Sequence, residues 1–296
     1  MHSIDEARAR LARLDRSMGS ARRDLTIGTD TIRLEGLSDE LAVTLDARFG
    51  GFLEPAGGRA ARLSVRAVRG DGSGWLPRWS PGERYRIEAD AAGPLVVRSY
   101  HFALVPEFSG AWRLAIEDQG PEPVGRIVEN ATRYLVARLA AERGGLALHG
   151  AGLLRGGRAF IFAGPSGAGK STAIRLSSPA TSLGDDFAVV LPSAAGWETA
   201  ALPFDNAEVA PPHPVRGLHP VAGMWRLFQA QSHRVERPSG VMAQASLLAC
   251  AAFPWALPDL ADRLGESVAA IAASGLFGHL HFAPDGGFWP LLADGA

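Results

Sequence analysis

The chain has 296 residues, 47% hydrophobic and 21% charged, the mix of a globular protein and not of a disordered or fibrous one. Its 30 basic and 31 acidic residues leave a net charge of −1, which gives no electrostatic footprint for nucleic acid or an anionic membrane surface. One cysteine excludes an intramolecular disulfide, and a charged N-terminus with no long apolar run points to a cytoplasmic protein without signal peptide or membrane span.

In chain order, Ile4, Ala7, Leu11, Leu14 and Met18 recur at three- and four-residue spacing and predict an amphipathic helix over 4–18, ending at Gly19. Short alternating runs then fill 24–118: Leu25–Ile27, Thr31–Leu34, Leu63–Val68, Tyr85–Glu88, Leu95–Phe102 and Trp112–Ile116. Clusters such as Gly70–Gly74, Ser80–Gly82 and Ala92–Pro94 separate them, the pattern of a mainly antiparallel β region. A helix over 38–48, capped by Ser38, interrupts the strands. Gln119–Pro123 is the expected boundary, giving an N-terminal α+β domain over 1–120 and a second domain over 121–296.

Val124, Ile127, Val128, Ala131, Leu135 and Leu139 form a helical stripe stopped by Gly144 and Gly145. Two apolar runs, Leu146–Leu154 and Ala159–Ala163, joined through Gly156 and Gly157, predict a β-hairpin. Further on the pattern predicts a helix to Leu176, a strand over 187–191 and a return strand over 198–204. Residues 205–239, rich in Pro and His, give no clear element. Helices over 240–252 and 259–273 follow, then a hairpin over His279–Leu292 turning at Asp285-Gly286-Gly287.

Lys170 is the only lysine; the other 29 basic residues are arginine. A chain that uses arginine wherever a positive charge will do has kept, at one position, the compact ammonium instead of the wide planar fork. That position lies in Gly164-Pro165-Ser166-Gly167-Ala168-Gly169-Lys170-Ser171, which matches G-x-x-x-x-G-K-S and is followed by Thr172. Glycines let the backbone curl so that successive N–H groups face phosphate oxygens, the lysine reaches the β- and γ-phosphates, and the serine hydroxyl ligates Mg²⁺. The strand before the motif and the helix after it are the context this chemistry requires, so residues 164–172 are expected to bind a nucleoside triphosphate, ATP, with Mg²⁺.

Two nearby features narrow what is done with the triphosphate. Asp185 and Asp186 stand 15 and 16 residues after Lys170, ahead of the apolar run Phe187–Leu191 and not behind one as in common ATPases. Beside a phosphate loop, one carboxylate can hold Mg²⁺ and the other can take a proton from an attacking hydroxyl. Ser171 and Asp186 are the expected metal ligands. His149 lies 21 residues before Lys170 in a glycine-rich turn, and the predicted hairpin folds it back beside the motif. Taken alone, the aspartates read as a polar turn and the histidine as structural.

Leu148-His149-Gly150, the hairpin, Gly164–Ser171 and Gly184-Asp185-Asp186 together resemble the HPr kinase/phosphorylase family. They are more similar still to its divergent HPr-kinase-like relatives, some of which phosphorylate serine in modified peptides such as lasso peptides. The resemblance spans about residues 145–192. It implies an α/β fold whose P-loop kinase core is of the HPr kinase/phosphoenolpyruvate carboxykinase type. It implies catalytic roles for His149, Lys170, Asp185 and Asp186, and a peptide or protein serine as acceptor. The family's Glu-x-Arg-Gly-type signature has no counterpart here; the nearest candidates, Glu208 and Val215-Arg216-Gly217, are not in that pattern. The resemblance therefore carries over neither phosphorylase activity nor HPr as substrate.

A small-molecule hydroxyl kinase and a regulatory nucleotide-binding module are the alternatives, and the composition is compatible with a homo-oligomer. Arg216, Arg226, Arg234 and Arg237 read as solvated surface charges, Cys250 as a buried inert thiol, and the seven tryptophans as packing. His279 and His281, two apart on one strand face, lack an evident third metal ligand.

Overall fold

The computed structural model describes residues 4–76, 86–204 and 215–293. It is mixed α/β with two sheets. It separates into two compact units; one runs to Leu135 and includes Trp255–Asp259, and the other takes up the chain at Val136, inside a helix. The Pro-rich stretch expected as the boundary precedes that helix. Among the described residues no helix is long and apolar enough to cross a membrane.

The first unit contains α1 (Ile4–Arg13), β1 (Ala21–Ile27), β2 (Asp30–Leu37), α2 (Asp39–Phe49), β3 (Leu53–Pro55), β4 (Leu63–Arg69), β5 (Glu88–Asp90), β6 (Val96–Arg98), β7 (Phe102–Phe108), β8 (Ala111–Ile116) and most of α3 (Val124–Glu142). Its sheet runs β3-β1-β2-β4-β8-β7-β6-β5. Most neighbours are antiparallel, as expected. The β2–β4 and β4–β8 pairs are parallel, because α2 and the long β5–β7 excursion carry the chain across before it returns. Ser38 accepts a hydrogen bond from the Leu41 N–H at 3.1 Å, so the expected cap opens α2. Tyr85 and the Ser80–Gly82 turn lie outside the described residues; the strand expected there begins at Glu88.

α1 stops short of the predicted Gly19. Arg113 Nη1 donates to the carbonyls of Leu11 and Leu14 at 3.0 and 3.1 Å, taking acceptors that a further turn would use. Residues 16 and 17 then pair with the end of β4, where Ser17 is bridged to Val68 and the Arg69 N–H donates to the Arg16 carbonyl at 2.9 Å. The buried stripe of α1 packs Ala7 and Leu11 on Val68, Trp75 and Ala115. Arg10 lies 3.6 Å from the Trp75 ring centroid and pairs with Asp71 and Glu117.

Asp24, 2% exposed, supplies a pH-dependent element. Its carboxylate accepts two bonds from Arg33, at 2.8 and 3.0 Å, and one from the Gly57 N–H at 3.0 Å. The Arg33 guanidinium, with Gly57, holds the carboxyl below its ordinary value. An acid depressed in the fold stabilises it above the unfolded-state pKa, and this contribution is lost as pH falls through the folded-state value. Asp24→Asn is expected to cost about 1–3 kcal/mol at neutral pH and to flatten the acid limb of the stability profile, measured by urea unfolding between neutral and acid pH.

The second unit contains β9 (Leu146–Leu148), β10 (Gly150–Arg155), β11 (Arg158–Ala163), α4 (Lys170–Arg175), β12 (Thr181–Gly184), β13 (Ala188–Ser193), β14 (Gly196–Ala200), β15 (Leu218–Gln229), β16 (Arg234–Glu236), α5 (Gly240–Leu248), α6 (Ala261–Ala273), β17 (Phe277–Phe282) and α7 (Trp289–Ala293). The predicted hairpin forms as β10–β11, with Gly156 and Gly157 both at positive φ, 59° and 78°, as a tight turn of this hand demands. Its first run is cut at His149, because β9 leaves the hairpin to pair with β13.

The stretch that gave no clear element holds the long strand β15, which pairs with β14 at its start and with β11 and β17, both parallel, further on. Pro220 and Gly223 mask its alternation, but Met224, Trp225 and Leu227 are buried as a central strand requires. The final segment is not a hairpin. Asp285 Oδ1 accepts from the Gly287 N–H at 2.9 Å, caps a helical turn and leads into α7. Phe288, Trp289 and Leu292 thereby close over Phe160, Phe162, Trp225, Leu227 and Phe282 on one face of the sheet, where Ala173 of α4 also packs. Cys250 is buried, as expected, and desolvation pushes its thiol up to about 11. Trp255 departs from the packing expectation, being 83% exposed.

Candidate active site at one sheet edge

Three separated sequence segments are brought to one edge by strand pairing alone. β10 is antiparallel to both neighbours, with Gly150 opposite Ala163 of β11 and Gly152 opposite Gly184 of β12. The start of β10 therefore lies beside the ends of β11 and β12. His149 precedes β10, the Gly164–Ser171 loop follows β11, and Asp185-Asp186 follow β12. The Gly164 N–H donates to the His149 carbonyl at 3.1 Å, and the His149 N–H to the Cys250 carbonyl at 2.8 Å. These two bonds fix the histidine backbone against the root of the glycine loop while its side chain stays exposed. Asp185 and Asp186 are half-buried, anchored by Phe187, whose ring meets Phe204 edge-on at 5.5 Å.

The loop's glycines are required for different reasons. Gly164, Gly167 and Gly169 have φ of 151°, 80° and 103°. A Cβ at Gly164 would stand 2.9 Å from the Ala168 Cβ, and one at Gly169 would stand 2.7 Å from the Phe282 ring. Gly167 has open space around it, so conformation alone demands glycine there. Pro165, Ser166 and Gly167 form an exposed crest, Ala168 is half-buried, and Ser171 is exposed one residue beyond the buried Lys170.

Lys170 Nζ donates to the carbonyls of Gly164 and Pro165 at 3.0 and 3.2 Å. The ammonium is thus folded back inside the curl of its own loop. A compact three-donor group can do this; a rigid guanidinium fork cannot turn inside so small a ring. The open crest, the positive-φ glycines and the enclosed cation together form a cradle suited to an anion carrying several oxygens. This fits a triphosphate. Mg²⁺, were it bound with the nucleotide, would be held by the Ser171 hydroxyl and an aspartate together with oxygens of the nucleotide and water. Among the described residues no three His, Cys, Asp or Glu side chains cluster to hold a metal by themselves.

All sequence-predicted site residues, His149, Gly164–Thr172, Asp185 and Asp186, thus fall on this edge. Sequence reading missed Gln229, at the end of β15, whose Nε2 donates to the Gly167 carbonyl at 2.7 Å and ties the crest to the sheet. Its only signal was in-register spacing from Trp225 and Leu227, hidden because β15 was not recognised.

Arg226 also departs from expectation. It is half-buried and donates to Ser246 Oγ at 3.0 Å, which shares a hydrogen bond with His279 Nε2 at 2.8 Å. Burial, with Arg226 nearby, lowers the His279 pKa and favours the neutral ring. His281 Nε2 meets Glu236 at 3.3 Å, so the histidine pair belongs to a polar network over β15–β17. Arg216, Arg234 and Arg237 are exposed as expected, and Arg237 also lies 4.4 Å from the Trp225 ring centroid. Glu208 lies outside the described residues.

A family profile described as ScmC, SynChlorMet cassette protein ScmC, matches residues 116–208. The matched stretch is less than half of the chain and carries His149, the whole glycine loop and both aspartates. No curated protein matches the chain.

Proposed function

We propose that the protein is an ATP- and Mg²⁺-dependent kinase, resembling the HPr-kinase-like family, with a P-loop kinase core in its second unit. It transfers the γ-phosphoryl group to a hydroxyl, serine of a peptide or protein being the favoured acceptor, and works in the cytoplasm. The observation that carries this reading is the convergence of the Lys170 loop, the Asp185-Asp186 pair and His149 on one sheet edge. One carboxylate can serve the ion, as in other P-loop proteins, and the second then offers a proton acceptor for an attacking hydroxyl.

In this reading Lys170 exchanges the Gly164 and Pro165 carbonyls for phosphate oxygens, and backbone N–H groups of the loop beyond Pro165, which itself has none, hold the rest of the chain of phosphates. Magnesium, when bound, neutralises charge on the β- and γ-phosphate oxygens. Ser171 and one aspartate, Asp186 in this assignment, would hold it. The other aspartate accepts the proton of the incoming hydroxyl, and His149 lies beside the phosphates. Ser171→Ala is expected to raise the Mg²⁺ concentration needed for half-maximal turnover several-fold with an unchanged melting temperature; an unchanged Mg²⁺ titration would remove the serine from this role.

The acceptor is tested by mass spectrometry of serine peptides and of a metabolite extract, each incubated with the protein, ATP and Mg²⁺. Peptides encoded beside this gene are the first to try, which accords with the matched family's description as a cassette protein. Phosphoserine in a peptide supports the reading; product among metabolites only transfers it to a small-molecule kinase. No phosphoester in either leaves the regulatory module.

A further inference from the structure

The sheet order places β10 and β12, with His149 and Asp185-Asp186, on one flank of β11, and β15 and β17 on the other. On that second flank a cleft of about 250 Å³ opens directly beside the glycine loop, lined by Gly169, Thr172, Gln229, Ala230, Phe282 and Pro284. Whole small-molecule sites measure about 300–1,000 Å³, so a cleft of this size suits one part of a ligand whose remainder lies elsewhere. Two of its lining residues, Gly169 and Thr172, bracket Lys170 and Ser171, so whatever enters it is continuous with whatever the loop holds.

The walls are apolar: the Phe282 ring, Pro284 and Ala230. The polar side chains are Thr172, at the loop end, and the Gln229 amide. One N–H of its Nε2 is committed to the Gly167 carbonyl at 2.7 Å. The second N–H and Oε1 remain, side by side, as one donor and one acceptor. Adenine presents the complementary acceptor and donor, N7 and the N6 amino group, whereas guanine presents two acceptors, N7 and O6. We propose that this cleft seats the base of the nucleotide and that Gln229 selects adenine over guanine. The inference rests on the glycine loop holding the triphosphate. It separates the two ends of the ligand, with the base on the β15–β17 flank and the reacting phosphate towards the aspartates.

Calorimetric titration of the full chain with the magnesium salts of ATP, GTP and inorganic tripolyphosphate tests it. The expected order is ATP tighter than GTP by about tenfold, from one bidentate pair, and both tighter than tripolyphosphate. Gln229→Ala should bring ATP to the level of GTP, whatever the lost loop tether does to all three ligands. Ala230→Leu, filling the cleft, should bring ATP towards tripolyphosphate and leave tripolyphosphate itself unchanged, in a protein with wild-type melting temperature. Equal binding of ATP and GTP by the wild type, or a ratio unmoved by Gln229→Ala, overturns the proposal. If tripolyphosphate binds through Lys170 but ATP binds no tighter, only the cleft assignment falls. If no triphosphate binds, the reading of the loop falls and this inference with it.

Discussion

Lys170→Ala is expected to abolish turnover, lowering kcat/KM by at least on the order of 10²–10³, the loss found when one preorganised charge partner of a reacting oxyanion is removed. Lys170→Arg should fare no better. The ammonium donates to two carbonyls of its own loop, Gly164 and Pro165, at 3.0 and 3.2 Å, inside a ring that a planar fork does not fit. The position is informative because every other basic residue in the chain is arginine. Steady-state kinetics beside thermal denaturation checks both variants. Full activity in the arginine variant would show that the narrow cation is not what the loop requires.

The second large effect concerns the aspartates. Asp185→Asn and Asp186→Asn each keep shape and remove charge at the end of β12, beside the start of β10. The variant that loses the proton acceptor should lose about 10²–10⁴ in transfer rate and still bind nucleotide. The variant that loses the ion's partner should bind the magnesium nucleotide weakly while binding magnesium-free nucleotide as before. His149→Ala should reduce transfer less than loss of the base, because the structure fixes that histidine through its backbone and leaves its ring exposed. Transfer rates measured beside equilibrium binding separate these outcomes. Two Asn variants with wild-type transfer would remove the pair from the chemistry.

Much of this edge was legible because its signals are local. The glycine loop needs its special φ values within eight residues, and the pattern Gly164–Ser171 records that directly. The hairpin that returns His149 to the loop is written in Gly156-Gly157. The Ser38 cap and the α3 stop at Gly144 are likewise short-range. What escaped was set by partners far away in sequence. α1 ends early because Arg113, from the other side of the sheet's sequence, takes its last carbonyls. β15 is a strand because β11 and β17 flank it, although Pro220 and Gly223 break its pattern. Asp285-Gly286-Gly287 looks like a hairpin turn until the core reveals a place for Phe288 and Trp289, and the same aspartate then serves as a helical cap. Gln229 and Arg226 were invisible for the same reason, since their roles depend on which strand lies beside β11.

The most direct test of the central claim is a single-turnover experiment with stoichiometric γ-labelled ATP, Mg²⁺ and an acceptor pool, following where the label goes. Label is expected to accumulate in a stable phosphoester faster than in inorganic phosphate, Lys170→Ala to stop both, and one Asn variant to stop transfer while nucleotide stays bound. Label leaving ATP only as inorganic phosphate, from folded and nucleotide-loaded protein, would contradict that claim.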